Sequence, residues 1–144
     1  MPTARSILER KGADVATIEK KATVFDAAKR MNERRIGALV VTDGERAVGI
    51  FTERDILNRI VAAAKDPTKT TVGTVMTSPM ACCRRDTPIA ECKAVMTQKR
   101  IRHLPVVEDG KLYGLISAGD LLAGEVADKQ ATIEYLHEYL YGHR

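Results

Sequence analysis

Tryptophan is missing from this chain of 144 residues, and two Phe and four Tyr make up its whole aromatic set. No aromatic interleaves with the basic runs, which argues against base stacking on single-stranded nucleic acid. No helix-turn-helix pattern is evident either. Cysteine is scarce: Cys82, Cys83 and Cys92 form an odd set without CxxC spacing. His103, His137 and His143 supply no ligand spacing to rescue a metal site. The cysteines are therefore expected as small, partly buried hydrophobes of a reducing compartment. HExxH, GxSxG, a P-loop and close carboxylate pairs are all lacking, which argues against a nucleotide-processing enzyme. No apolar run approaches the ~20 residues of a membrane span. The opening MPTARSILERKGAD holds no long apolar stretch of a secretory signal. The expected compartment is the cytoplasm, with no membrane partner.

What the chain does hold is 44% hydrophobic and 29% charged residues, enough for a core and a polar surface. Its net charge of +4 is mild. That suits phosphate-bearing small molecules as well as nucleic acid and selects neither.

The strongest signal is an internal repeat. Residues 36–57 read IGALVVTDGERAVGIFTERDIL, and residues 101–122 read IRHLPVVEDGKLYGLISAGDLL. At an offset of 65 residues Ile36/Ile101, Leu39/Leu104, Val41/Val106, Gly49/Gly114, Asp55/Asp120 and Leu57/Leu122 coincide. Each copy reads as a strand, a tight turn, a second strand and a polar step into a helix. Upstream, Val24, Ala27, Ala28 and Met31 share a helical face. A short strand is expected over 14–18, and a helix over about 53–64. Thr87-Pro88 reads as a helix start with a hydroxyl cap and Pro in the first helical position. Residues 72–76 match residues 4–8, and Lys65-Asp66-Pro67-Thr68 breaks the halves.

Each half is thus β-α-β-β-α, exposing an apolar sheet face that one copy cannot cover. The expected fold class is α+β, two such repeats packed sheet to sheet with pseudo-two-fold symmetry. The divisions are 1–70, 71–128 and a C-terminal amphipathic helix over 129–144. In that tail Ile133, Leu136 and Leu140 form a stripe beside Tyr135 and Tyr139, which suits self-association.

The polar step carries the chemistry. Thr52-Glu53-Arg54-Asp55 and Ser117-Ala118-Gly119-Asp120 each place a hydroxyl and a carboxylate at a helix start. By itself this is a relative of the capping box. Both copies use Asp rather than Glu, follow an apolar strand, and have basic residues upstream: Arg34-Arg35, and Lys99-Arg100 with Arg102-His103. A helix N-terminus attracts phosphate, a nearby carboxylate accepts ribose hydroxyls, and an apolar slot takes a base.

The doubled pattern resembles the CBS domain, a small ligand-binding module. The second copy carries it in Val75-Met76-Thr77, Pro88-Ile89, Met96, Arg100-Ile101, Leu104, Val106-Val107, Gly110, Gly114-Leu115-Ile116-Ser117 and Asp120. The first copy departs from it, with Thr23 in place of the Pro and a weak lead-in at Ile7-Leu8-Glu9. The resemblance implies a non-catalytic sensor that binds an adenine nucleotide, AMP foremost, with ADP, ATP or NAD as alternatives, and no catalytic cofactor. It also implies a homodimer, with an unidentified protein partner possible. One implied cleft uses Ala16, Ile36 and Gly37 with Arg102, His103, Leu115, Ser117 and Asp120. The mirror cleft uses Met80, Ala81, Ile101 and Arg102 with Ala38, Ile50, Thr52, Arg54 and Asp55. Arg102-His103 stands where the other cleft has Gly37-Ala38, so the Asp120 cleft is expected to have the richer phosphate end.

Overall fold

The computed structural model describes residues 2–127. The expected helix over 129–144 and its tyrosines lie outside the described residues. Helix α1, Ala4–Lys11, buries Ala4, Ile7 and Leu8, the i, i+3, i+4 face its sequence predicts. Strand β1, Thr17–Glu19, pairs in parallel with β2, Ala38–Asp43, and β2 pairs antiparallel with β3, Arg46–Thr52. Between β1 and β2 runs α2, Val24–Arg34, which buries Val24, Ala27 and Met31. The Thr23 hydroxyl caps α2, accepting from the Asp26 N–H at 3.1 Å. Helix α3, Glu53–Ile56, continues as one π-helical turn, Leu57–Val61. The second half supplies α4 (Val72–Val75), α5 (Ile89–Lys99), β4 (His103–Glu108), β5 (Lys111–Ser117) and α6 (Ala118–Ala127).

Two local expectations are corrected. The second copy has no full counterpart of β1. Cys83 makes a single parallel bridge to Val106, through bonds of 2.9 Å to the Pro105 carbonyl and from the Val107 N–H. The chain then leaves the sheet because its next donors are taken. The Arg84 N–H goes to the Thr87 hydroxyl and the Arg85 N–H to the Glu108 carboxylate. For the same reason Thr87 does not cap α5: its hydroxyl is spent on Arg84, and Pro88 is itself the residue before the first helical turn.

The two cores are crossed. Ala4, Ile7 and Leu8 of α1 sit among Cys92, Met96, Leu104, Val106 and Ile116 of the second repeat. Val72 and Val75 of α4 sit among Ile18, Met31, Leu39 and Phe51 of the first. Each large side chain so buried contributes about 1.5–3 kcal/mol. The crossing is pinned twice, by backbone bridges between Thr3 and Pro88 and between Thr71 and Thr23. It also explains Gly49 and Gly114. A Cβ at Gly49 would lie 2.7 Å from Met76 Sδ and 2.9 Å from the Thr77 carbonyl, and one at Gly114 would run into Leu8. The pseudo-two-fold extends to the surface, where Lys20–Asp43 (2.8 Å) recurs as Arg85–Glu108 (2.7 Å). The Arg85 guanidinium holds the Glu108 carboxyl down at about 2. Where the sheets meet, the Ala47 N–H donates to the Gly110 carbonyl at 2.8 Å.

Candidate functional site

At both strand-to-helix steps the reciprocal capping bonds expected from the sequence are formed. Thr52 Oγ1 accepts from the Asp55 N–H at 3.3 Å, and Asp55 Oδ2 accepts from the Thr52 N–H at 3.0 Å. Ser117 Oγ accepts from the Asp120 N–H at 3.1 Å, and Asp120 Oδ2 accepts from the Ser117 N–H at 2.8 Å. The copies diverge in what the crossed lead-in brings to the carboxylate.

Asp55 is 7% exposed. Its Oδ1 accepts from the Thr77 hydroxyl at 3.1 Å, with Arg59 Nε at 3.6 Å. Arg59 is held in turn on the carbonyls of Val75 (3.0 Å) and Met76 (2.8 Å), at the C-terminus of α4. Both Asp55 oxygens are therefore engaged from within the chain. Asp120 receives a cation instead. Lys11, the last residue of α1, places Nζ 2.6 Å from Oδ2 and 2.8 Å from the Leu115 carbonyl. Among the described residues no hydrogen bond reaches Asp120 Oδ1. Burial pushes the Asp120 carboxyl up, but Lys11 and the Ser117 bonds outweigh it and hold it below the ordinary value.

A cavity of about 660 Å³ opens beside Lys11 and Ser117, within the ~300–1,000 Å³ of small-ligand sites. Its walls come from both repeats: Lys11, Asp14, Val15, Ala16, Arg34, Arg35, Ile36, Gly37 and Ala38, with His103, Leu115 and Ser117. Ala16, Ile36, Gly37, His103, Leu115 and Ser117 thus stand together as expected. Ala38, expected in the mirror cleft, lines this one. Asp120 adjoins it through Lys11 and Ser117. Arg102 is exposed and does not line the cavity; its carbonyl accepts from the Ala118 N–H. Of the mirror set, Ile50 is bonded to Thr77 through both backbone groups, and Ala81 and Ile101 pack on the second core. Met80 is half-buried and Arg54 exposed.

The cavity is basic. Lys11, Arg34, Arg35 and His103 face one acid, Asp14. Arg35 is placed there by a left-handed backbone, φ 53°, which ends α2 and lets the Ile36 N–H reach the Met31 carbonyl at 3.0 Å. Arg100 repeats that conformation at φ 54°. Burial, followed by the neighbouring Arg102 charge, pushes the His103 imidazole below its ordinary value. A second hollow of about 550 Å³ shares Arg35, Ile36 and Gly37 and is completed by Ala28, Met31, Asn32, Glu53 and Ile56.

Sequence reasoning missed Lys11, Asp14, Val15, Arg59 and Thr77. Lys11 lies 109 residues from Asp120 in the chain. Its one sequence clue is a basic end to an amphipathic helix, which many helices share.

The sequence model of the CBS domain matches residues 4–62 and 72–126. A solved structure of a Burkholderia ambifaria protein, described as a signal-transduction protein with CBS domains, is 41% identical. It superposes with a TM-score of 0.84 over 89% of this chain and 96% of its own. The hexameric CBS-CP12 protein of bloom-forming cyanobacteria is 29% identical, with a TM-score of 0.76 over 96% of this chain and 83% of its own. The Arabidopsis thaliana mitochondrial CBS domain-containing protein CBSX3 is 34% identical over 125 residues, 83% of this chain and 61% of the relative. The chain thus spans less than two thirds of that relative's length. Among the described residues no helix is long and apolar enough to cross a membrane. Two matched repeats, their crossed cores and the superposition agree: the chain belongs to the CBS-domain family, with two copies of the domain in tandem.

Proposed function

We propose that the chain is a non-catalytic regulatory module that binds one adenine nucleotide in the cleft at Ser117 and Asp120. The observation that carries this reading is the inequality of the two aspartates. Among the described residues Asp120 Oδ1 receives no hydrogen bond, beside a basic cavity of about 660 Å³, whereas both oxygens of Asp55 are engaged. The ribose diol would take Asp120, the base would lie among Ala16, Ile36 and Leu115, and the phosphates would meet Arg34, Arg35 and His103. Binding shifts the relation of the repeats only as far as the ligand prefers one arrangement over another. Self-association fits the exposed apolar side chains of Phe25, Leu57, Val61 and Leu122; Leu57 and Leu122 hold corresponding positions in the two copies.

Calorimetry with AMP, ADP, ATP and NAD tests the reading. We expect one site per chain, and Asp120→Ala to weaken it about ten- to a hundredfold, the loss of a charge-assisted bond of roughly 1.5–3 kcal/mol. Absence of binding, or affinity unchanged in Asp120→Ala, would overturn it.

A further inference from the structure

We infer that Lys11 is a phosphate-dependent latch on the cleft, and so the residue by which the module separates phosphorylated nucleosides from bare ones. The inference rests on the nucleotide reading above and deepens it. Lys11 lines the cavity and ends on Asp120 Oδ2 at 2.6 Å, the oxygen that also accepts from the Ser117 N–H at 2.8 Å. A ribose diol binds a carboxylate best through both oxygens. Among the described residues Oδ1 receives no donor, but Oδ2 already carries two. The Ser117 N–H belongs to the backbone at the strand end and stays. The Lys11 ammonium sits on a flexible stem, 33% exposed, and is the donor that can leave.

Where Lys11 goes decides the selectivity. Asp120 is its ion-pair partner in this structure. A bare nucleoside would displace it from that carboxylate and offer nothing in exchange. A phosphorylated nucleoside supplies a new anion within the same cavity, beside Arg34, Arg35 and His103. The latch therefore opposes unphosphorylated ligands and assists phosphorylated ones, attraction and repulsion from one side chain. The helix end that carries Lys11 need not move. Ala4, Ile7 and Leu8 fix α1 in the second core, and Arg10 braces its end by donating to the Asp120 carbonyl at 3.2 Å, with its guanidinium over Gly124. The mirror position differs: the lead-in gives Asp55 a neutral hydroxyl, Thr77, and its neighbouring cation, Arg59 at 3.6 Å, is tied to the Val75 and Met76 carbonyls.

The test compares adenosine with ATP by calorimetry on the wild type, Lys11→Met and Lys11→Arg. Lys11→Met should weaken ATP about tenfold and tighten adenosine about threefold, shifts of opposite sign. Lys11→Arg should hold ATP affinity within about threefold of the wild type, since the charge is kept. A thermal melt of each variant verifies that α1 is still docked. Equal shifts of the same sign for both compounds would reduce Lys11 to a positioning residue for Asp120 and overturn the latch. No shift for either compound would overturn it as well. Should neither these two compounds nor AMP, ADP or NAD bind the wild type, the nucleotide reading falls and the latch with it.

Discussion

Replacing Asp55 by Ala should cost more stability than the same change at Asp120, although the two aspartates are equivalent in sequence. At Asp55 the change leaves the cap from the Thr52 hydroxyl to the residue-55 N–H in place. It strands the Thr52 N–H and the Thr77 hydroxyl, whose partner at 3.0 Å and 3.1 Å is this carboxylate. Each donor left short in a 7%-exposed site costs about 1 kcal/mol. The Arg59 pairing, 3.6 Å long with the arginine side chain 47% exposed, adds almost nothing. The sum is about 2 kcal/mol, or roughly 7 °C in Tm for a domain of this size. At Asp120 the lost bond from the Ser117 N–H is worth about 1 kcal/mol. The Lys11 pair, 33% and 21% exposed, is screened by solvent, and the freed ammonium can hydrate, so it adds about 0–0.5 kcal/mol. Urea unfolding followed by circular dichroism of both variants and of Asp55→Asn measures the difference. Asp55→Asn should recover part of the loss by keeping a cap acceptor. Equal destabilisation at the two sites, or an Asp55→Ala loss below about 1 kcal/mol, would refute the claim that one aspartate is structural and the other open to ligand.

Gly49→Ala should destabilise the fold by about 1–3 kcal/mol in the same urea assay, because the Thr77 carbonyl, 2.9 Å from the new Cβ, is backbone and cannot turn aside; a neutral result would contradict the close approach of the second lead-in. Nucleotide binding should take up a proton at His103: burial holds its pKa below the ordinary imidazole value in the unliganded chain, bound phosphate raises it, and affinity therefore climbs as pH falls through the imidazole range. Calorimetry in buffers of different ionisation enthalpy reads the uptake directly, and a heat independent of buffer, or one unchanged in His103→Ala, would exclude it.

The repeat was legible because a strand pair and a capped helix are local structures. Their signals, alternation in 38–43, Asp43-Gly44 at the turn and Thr52 before Asp55, lie within a few residues of one another. The cleft members Ala16, Ile36, Gly37, His103, Leu115 and Ser117 followed from the repeat and the family resemblance. Tertiary competition for donors was not legible. Nothing local says that Thr87 spends its hydroxyl on Arg84, or that Arg85 turns to Glu108 and cuts the second copy's first strand to Cys83. The crossing of α1 and α4 was equally hidden. Ala4, Ile7 and Leu8 would suit either core by hydrophobicity, and only the three-dimensional path selects one. With the crossing hidden, Lys11 and Thr77 could not be matched to Asp120 and Asp55.

That exchange of opening helices bears on how such a chain could arise. An isolated single copy would leave its own sheet uncovered where the other copy's first helix now lies. It could complete itself only by trading that helix with an identical twin. A duplicated gene would then have joined, in one polypeptide, an association that had previously depended on concentration. By the same logic, severing the chain between Asp66 and Lys69 should yield two fragments that cannot cover their own sheets as monomers and regain the native pairing on mixing.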